Sequence, residues 1–393
     1  MRALTLILSL ATKVVFSQSY LETEYQIGLL NTSINGQHIL DGSGYLSDDF
    51  KSQFINDLNE ENYFFIQQES GSKYRSSKGW SVGFKNSILG GVQFPKDLVE
   101  LGLYGNGQLL GQELSLAPIT AELVHFTKLF YDHEINEKFS TSIALVVGHQ
   151  FANLDISKGL FNTADLGASI DYDLELEAQF SDTADIQIYS FNGIGFAFGA
   201  NYKQDIENGK VSFTVSDLGI IRWNNKTSNV KVNSQYSFEG IEINDFENFN
   251  DSLFSNELEE IEEDLQGNTI QDYYHYRLPF RLNAKLSQTL SNNNIANEFT
   301  LGVDYINNFY PSPRWALQFH KDLKKHRVSL GYHVGGAEHP GFEFAYAYGG
   351  DVNQVRVYTK QANYFNAESA YGFHFGIGLR KILKPKQEKK NGK

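Results

Sequence analysis

The sequence predicts an all-β protein, a transmembrane antiparallel β-barrel of about 12–14 strands. Three observations predict it: an export-type N-terminus, no later run long and apolar enough for a spanning helix, and many segments of strict two-residue alternation. Composition agrees. Of 393 residues, 14% are aromatic, with 30 Phe and 22 Tyr beside 34 Gly and only 7 Pro, a β-rich profile. The mean hydropathy of −0.37 does not oppose a membrane location, because a barrel strand alternates and averages to a hydrophilic value.

In chain order, residues 1–18 read as a signal peptide. Arg2 precedes an apolar stretch from Ala3 to Ala11, continued by Val14 to Phe16, and Ser17 to Ser19 form a polar exit. Lys13 breaks the apolar run, which is too short to span a bilayer. Taking away Arg2 and Lys13 leaves 31 basic against 47 acidic side chains, so the charge of −14 becomes −16.

Residues 19–78 form an N-terminal region, read either as a plug or as the first strands. Within it, Ser47 and Asp48 are placed to cap a short helix running through Phe50, Phe54, Ile55 and Leu58.

The barrel is expected over residues 79–383. Phe139, Thr141, Ile143, Leu145 and Val147 share one face of a strand, and Ile194, Phe196, Phe198, Ala200 and Tyr202 share another. Val328 to Val334, Phe342 to Tyr348 and Tyr371 to Leu379 repeat the pattern against Gly, Ser, Ala and charged residues. Runs of about 9 residues suit a tilted membrane strand better than the usual globular strand of about 5–6. The bulky faces are therefore read as lipid-facing. One interruption, residues 251–265, is an acidic amphipathic helix with Phe254, Leu258, Ile261 and Leu265 on one side and six carboxylates among residues 257–264. Residues 384–393 form a basic C-terminal tail, expected on the periplasmic side.

Several chemistries are excluded or weakened. Zero cysteines remove disulfides, thiolate metal sites and cysteine nucleophiles. The acidic balance argues against a nucleic-acid footprint. Gly79-Trp80-Ser81-Val82-Gly83 matches a nucleophile elbow, but Trp80, Val82 and Phe84 alternate straight through it, so Ser81 is read as an inward strand residue. The ten histidines lack metal-binding spacing; His333, Glu338 and His339 around a Gly-Gly turn are read as a solvated loop. Gly193-Ile194-Gly195 and Gly105-Asn106-Gly107 lack a dinucleotide spacing. No catalytic residue, cofactor or metal is assigned, and the chain is read as a non-enzyme.

The informative polar pattern is a pair of charged strand faces. Asp171, Asp173, Glu175 and Glu177 share one face; Arg277, Arg281 and Lys285 share another. In a barrel both belong in the lumen, because Arg or Lys facing lipid at the midplane costs about 2–4 kcal/mol. Two roles follow: pairing across the lumen to fill it, or binding and selecting a charged solute.

Four short motifs carry a family likeness: Phe94-Pro95-Lys96-Asp97-Leu98 leading to Gly105-Asn106, the strand end Asp217-Leu218-Gly219-Ile220-Ile221-Arg222-Trp223, Phe238-Glu239-Gly240-Ile241, and Tyr276-Arg277-Leu278-Pro279. With these the chain resembles the uncharacterised outer-membrane β-barrel proteins of Bacteroidota, a domain-of-unknown-function family similar in architecture to fatty-acid-transporter-like and porin-like barrels. The resemblance implies a fold and an outer-membrane location rather than a mechanism. The function expected is solute passage or capture at the outer membrane. The alternative is a non-transporting scaffold that docks surface or secretion machinery. Expected partners are outer-membrane lipid and other envelope or secretion proteins.

Overall fold

The computed structural model describes residues 19–42, 46–182, 189–238, 269–290, 295–349, 353–363 and 366–383. The signal peptide at 1–18, the acidic helix at 251–265 and the basic tail at 384–393 lie outside the described residues.

Seventeen strand segments form one sheet. They are β1 (Tyr20–Asn31), β2 (Glu61–Arg75), β3 (Trp80–Pro95), β4 (Glu113–Ser115), β5 (Ile119–Glu134), β6 (Phe139–Thr163), β7 (Ile170–Phe180), β8 (Gly193–Ile206) and β9 (Gly209–Phe238). Then follow β10 (Thr269–Arg277), β11 (Arg281–Thr289), β12 (Glu298–Ile306), β13 (Arg314–Leu323), β14 (His326–Val334), β15 (Gly341–Gly349), β16 (Asn353–Thr359) and β17 (Gly372–Ile382). Every pairing is antiparallel, and β1 returns to pair with β17, Tyr20 beside Ile382, so the sheet closes on itself.

Three staves of this wall are built in two pieces. β4 and β5 both run along β6, β7 and β8 both lie between β6 and β9, and β10 and β11 both lie on β9. Seventeen segments less these three joins give 14 staves, the upper end of the number the sequence predicts. The chain is a closed, all-β, antiparallel barrel of the outer-membrane type. β1 and β2, from the region whose role the sequence left open, are staves of its wall.

The two ends of the barrel differ. At one end lie tight turns, with Asn208 and Lys324 at φ of 58° and 57° completing the β8–β9 and β13–β14 hairpins. At the other end are the long connections and, among the described residues, three helices: α1 (Gly36–Asp41), α2 (Asp48–Asp57) and α3 (Lys96–Tyr104). The Phe50 N–H donates to Ser47 Oγ at 3.2 Å, so α2 starts where the sequence places it. α3 is not among the sequence expectations, although Pro95 before it, Asp97 in its first turn and Gly105 after it are start and stop signals.

The bulky alternating faces point outward. Ile143, Leu145, Ile194, Phe196, Phe198, Leu330, Tyr332, Phe342 and Phe375 are all exposed, forming an apolar outer surface whose only natural solvent is lipid. A polar patch lies on β3, β5 and β6, where Asn86, His125, Thr127 and His149 face outward. Asn86 bonds His125 and Thr127 at 2.9 Å, and His149 bonds Thr127 at 2.8 Å and the Ser190 carbonyl at 2.9 Å. Residues 189–192, just before β8, lie over this cluster, with Ser190 and Asn192 buried against it while Tyr189 and Phe191 face out. Polar groups on that face thus find partners without lipid contact.

β6 has 25 residues and β9 has 30, far beyond the 9–11 a tilted strand needs to cross a bilayer. Their surplus, with β7 and β4, makes a sheet arm at the long-loop end.

Candidate functional site in the barrel lumen

A 14-stranded barrel encloses more space than side chains of an 8-stranded one fill, so the lumen contents decide what can pass. Inward residues are sorted into layers. On β1, β2, β3, β5 and β9 an ionic or polar residue is followed, four residues nearer the long-loop end, by a buried apolar one: Gln26 and Leu30, Glu69 and Phe65, Lys85 and Leu89, Lys128 and Val124, Asp217 and Ile221. Four residues of tilted strand separate the layers by about 10 Å.

The apolar layer is a packed core. Trp223 stacks on Phe151 at 5.4 Å, and Phe65 meets Tyr310 and Phe309 at 5.4 and 5.6 Å. Gly148 faces Trp223 across the layer, and a Cβ there would lie 2.8 Å from the indole, so this position admits no side chain. Tyr276 adds a hydroxyl that donates to Glu122. The aromatics of the sequence therefore do two jobs: lipid-facing surface and lumen filling.

The ionic layer bridges the barrel. Arg281 on β11 donates a bidentate pair to Glu69 on β2, with Nη1 to Oε2 at 3.1 Å. Five staves lie between β2 and the β10–β11 stave one way round and seven the other, so this pair crosses the lumen. Lys85 Nζ reaches Glu69 at 2.9 Å, Ser87 Oγ donates to it at 3.1 Å, and Gln26 also donates to it. Asp217 accepts from Lys128 and lies 3.6 Å from Arg281 Nε. Asp217 reaches the lumen because β9 carries an extra residue opposite Gly199, with Asp217 at φ 63°. It sits inside β9 rather than at the strand end the sequence suggests.

A second buried group closes the β13–β15 side. Arg314 donates to Glu338 and Glu343, and Gln318 also donates to Glu343. His333 lies 3.5 Å from Glu338 and 3.8 Å from Glu343. The guanidinium thus holds the place between the carboxylates, and among the described residues no His, Asp and Glu group is arranged to hold a metal.

Toward the tight-turn end the lumen is open and lined by charged and polar groups. Glu24, Lys285 and Arg356 point inward yet are exposed. They line a cavity of about 240 Å³ with Asp304, Arg314, Gln318, Glu343, Tyr358 and Lys360.

The structure separates the residues that the sequence grouped. Arg281 and Lys285 face the lumen, but Arg277 points outward beside Ile220 and is exposed. The break at Leu278-Pro279-Phe280 shifts the side-chain alternation between β10 and β11, and Pro279 lacks the N–H a continuous ladder needs. Asp171, Asp173, Glu175 and Glu177 share the inward side of β7, but in the arm, and they pair within their own sheet. Lys158 bonds Asp173 at 2.6 Å, Gln235 bonds Asp173 at 2.6 Å, Lys231 bonds Glu177 at 2.6 Å, and Ser157 reaches Glu175 at 3.4 Å. They do not meet Arg281 or Lys285. Ser81 is buried in the continuous strand β3 beside Arg75 and Asp132, away from any strand–turn–helix junction. Sequence reasoning missed Glu69, Lys85, Lys128 and Asp217; the recurring four-residue step from charge to apolar was the available signal.

Solved structures similar to this chain include a toluene transporter, TbuX, of Ralstonia pickettii, 10% identical over 94% of this chain and 90% of that one, with a TM-score of 0.39. A FadL homologue of Pseudomonas aeruginosa is 9% identical over 93% and 90%, with a TM-score of 0.40. No curated protein matches the sequence. Residues 23–346 match the model of a family of unknown function, DUF5723. With that match covering most of its length, the chain belongs to the DUF5723 family.

Proposed function

We propose that the protein is an outer-membrane barrel that captures a solute in its lumen and passes it through a gate, rather than an open pore. The observation that carries this reading is the cross-lumen pair of Arg281 with Glu69, set directly beneath a dry aromatic layer and above a wet cavity. A porin needs a continuous aqueous path; among the described residues the polar cavity lies toward the tight-turn end and the packed aromatic layer lies across the lumen above it. In bacterial barrels short turns face the periplasm and long loops the exterior, so the wet cavity faces the periplasm and the aromatic layer faces out.

Planar-bilayer recording tests the gate. The wild-type barrel should conduct weakly, and Arg281→Ala should raise conductance by removing the bridge. A large, steady wild-type conductance, or no change in the variant, would refute the gate. The chain should also fractionate with outer membranes, and recovery from the soluble periplasm would refute the location.

A second reading, a non-transporting scaffold for surface or secretion machinery, is favoured by the arm. Strands of 25 and 30 residues carry a sheet beyond any bilayer, and solute passage has no use for it. A silent barrel that co-purifies in stoichiometric amount with another envelope protein would select this reading.

A further inference from the structure

We infer that the wet cavity is a binding site for small anions, with Lys285, Arg356 and Lys360 as its recognition groups. This rests on the reading of a solute-capturing barrel and names the class of solute.

The chain carries a net charge of −14, yet the cavity runs the other way. Seven charged residues line it: Glu24, Asp304 and Glu343 against Lys285, Arg314, Arg356 and Lys360. The acids are already engaged. Glu343 accepts from Arg314 and Gln318, Asp304 accepts from Asn283 and lies 4.0 Å from Arg314, and Glu24 accepts from the Tyr358 hydroxyl at 2.7 Å. Among the described residues Lys285, Arg356 and Lys360 have no carboxylate within ion-pair distance.

These three come from different places in the chain. Lys285 is on β11, Arg356 on β16 and Lys360 just past the end of β16. Arg356 is held by its own neighbour, with its guanidinium 4.5 Å over the Tyr358 ring, which fixes the plane of its donor fork. Lys360 is half-buried and its backbone is tied at both ends, N–H to His374 at 3.2 Å and carbonyl to Arg314 at 3.3 Å. The three line one cavity without an ion-pair partner, and an anion entering it would offset the local positive excess while accepting charge-assisted hydrogen bonds from them. The volume of about 240 Å³ is several times the roughly 30 Å³ share of a water molecule. It suits inorganic phosphate or a short dicarboxylate. A divalent cation has no free acid set here, and a hydrocarbon would have to displace water from charged walls.

The test uses the full chain in detergent, titrated calorimetrically with inorganic phosphate and with succinate, choline serving as the cationic control. At least one anion should bind saturably, choline should not, and added sodium chloride should weaken the binding. Arg356→Gln and Lys360→Met should each weaken it about tenfold or more, Arg356→Lys should recover part of the loss, and Lys393→Gln should leave it unchanged. Heat-dependent gel mobility checks that each variant is folded. Saturable binding by neither anion, or folded variants that bind as the wild type does, would overturn the site. Uptake into proteoliposomes is measured in parallel. Anion binding without uptake sinks the passage reading and keeps the site, whereas uptake of an uncharged sugar without anion binding sinks the site and keeps passage.

Discussion

Two regions of the molecule use the same ion-pair chemistry under opposite conditions. In the lumen, Glu69 and Arg281 retain 2% and 18% of their side-chain exposure; in the arm, Glu177 and Lys231 retain 55% and 71%. The lumen pair is locked by Gln26, Lys85 and Ser87, while the arm pair stands in solvent. Burial decides what each pair is for. A buried pair fixes geometry and becomes costly to break, whereas an exposed pair mainly keeps a sheet soluble.

Five substitutions would sharpen or break that contrast. Arg281→Ala leaves Glu69 buried with Lys85 as its remaining cation, and should cost about 3–5 kcal/mol in urea unfolding from vesicles. A cost under about 1 kcal/mol would mean that water already screens the lumen pair. Next, Phe196→Arg puts a charge on the outer face and should cost about 2–4 kcal/mol by the same measurement. The matching change in the arm, Leu174→Arg, should cost much less, and equal costs would mean that the arm is not outside the membrane. Tyr276→Phe removes only the hydroxyl from the Glu122 contact and should cost about 1–3 kcal/mol by leaving that carboxylate short of a donor. The smallest effect is expected from Lys231→Ala, under about 1 kcal/mol and vanishing at high salt.

The arm also has an acid signature. Hydrogen bonding from Lys158, then from Gln235, holds the Asp173 carboxyl below its usual range. A depressed value means that the pairing contributes above the ordinary aspartate range and is lost as pH falls through the lowered one. NMR titration of that carboxyl should place its midpoint below those of unpaired aspartates, and an ordinary value would make the Lys158 contact transient.

How much of this could be read from the sequence follows from what alternation encodes. Outward faces were legible because Ile194, Phe196 and Phe198 repeat at two-residue spacing against glycine and alanine. Inward aromatics were not: Phe64 and Phe65 are adjacent, and nothing local says which of them faces lipid and which packs on Tyr310. The 171–177 carboxylates were legible as one face, but not as part of an arm, because length beyond the bilayer is a property of the paired strands β6 and β9. Arg277 and Arg281 looked alike at a four-residue spacing, and only the Leu278-Pro279-Phe280 break sets them on opposite sides. The bridge itself joins positions 212 residues apart, a distance over which single-sequence periodicity carries no information.

The seam between β1 and β17 has a consequence for assembly. The free edge of the first strand finds its partner only when residues 372–382 arrive, after almost the whole remaining chain has been made. Until then both the start and the growing end of the sheet offer unpaired backbone to any passing strand. Joining ends so far apart is slow on entropic grounds. A chain lacking β17 would therefore be a sticky intermediate, and the cell must hold the nascent protein apart from its copies until the eleven residues of that strand close the ring.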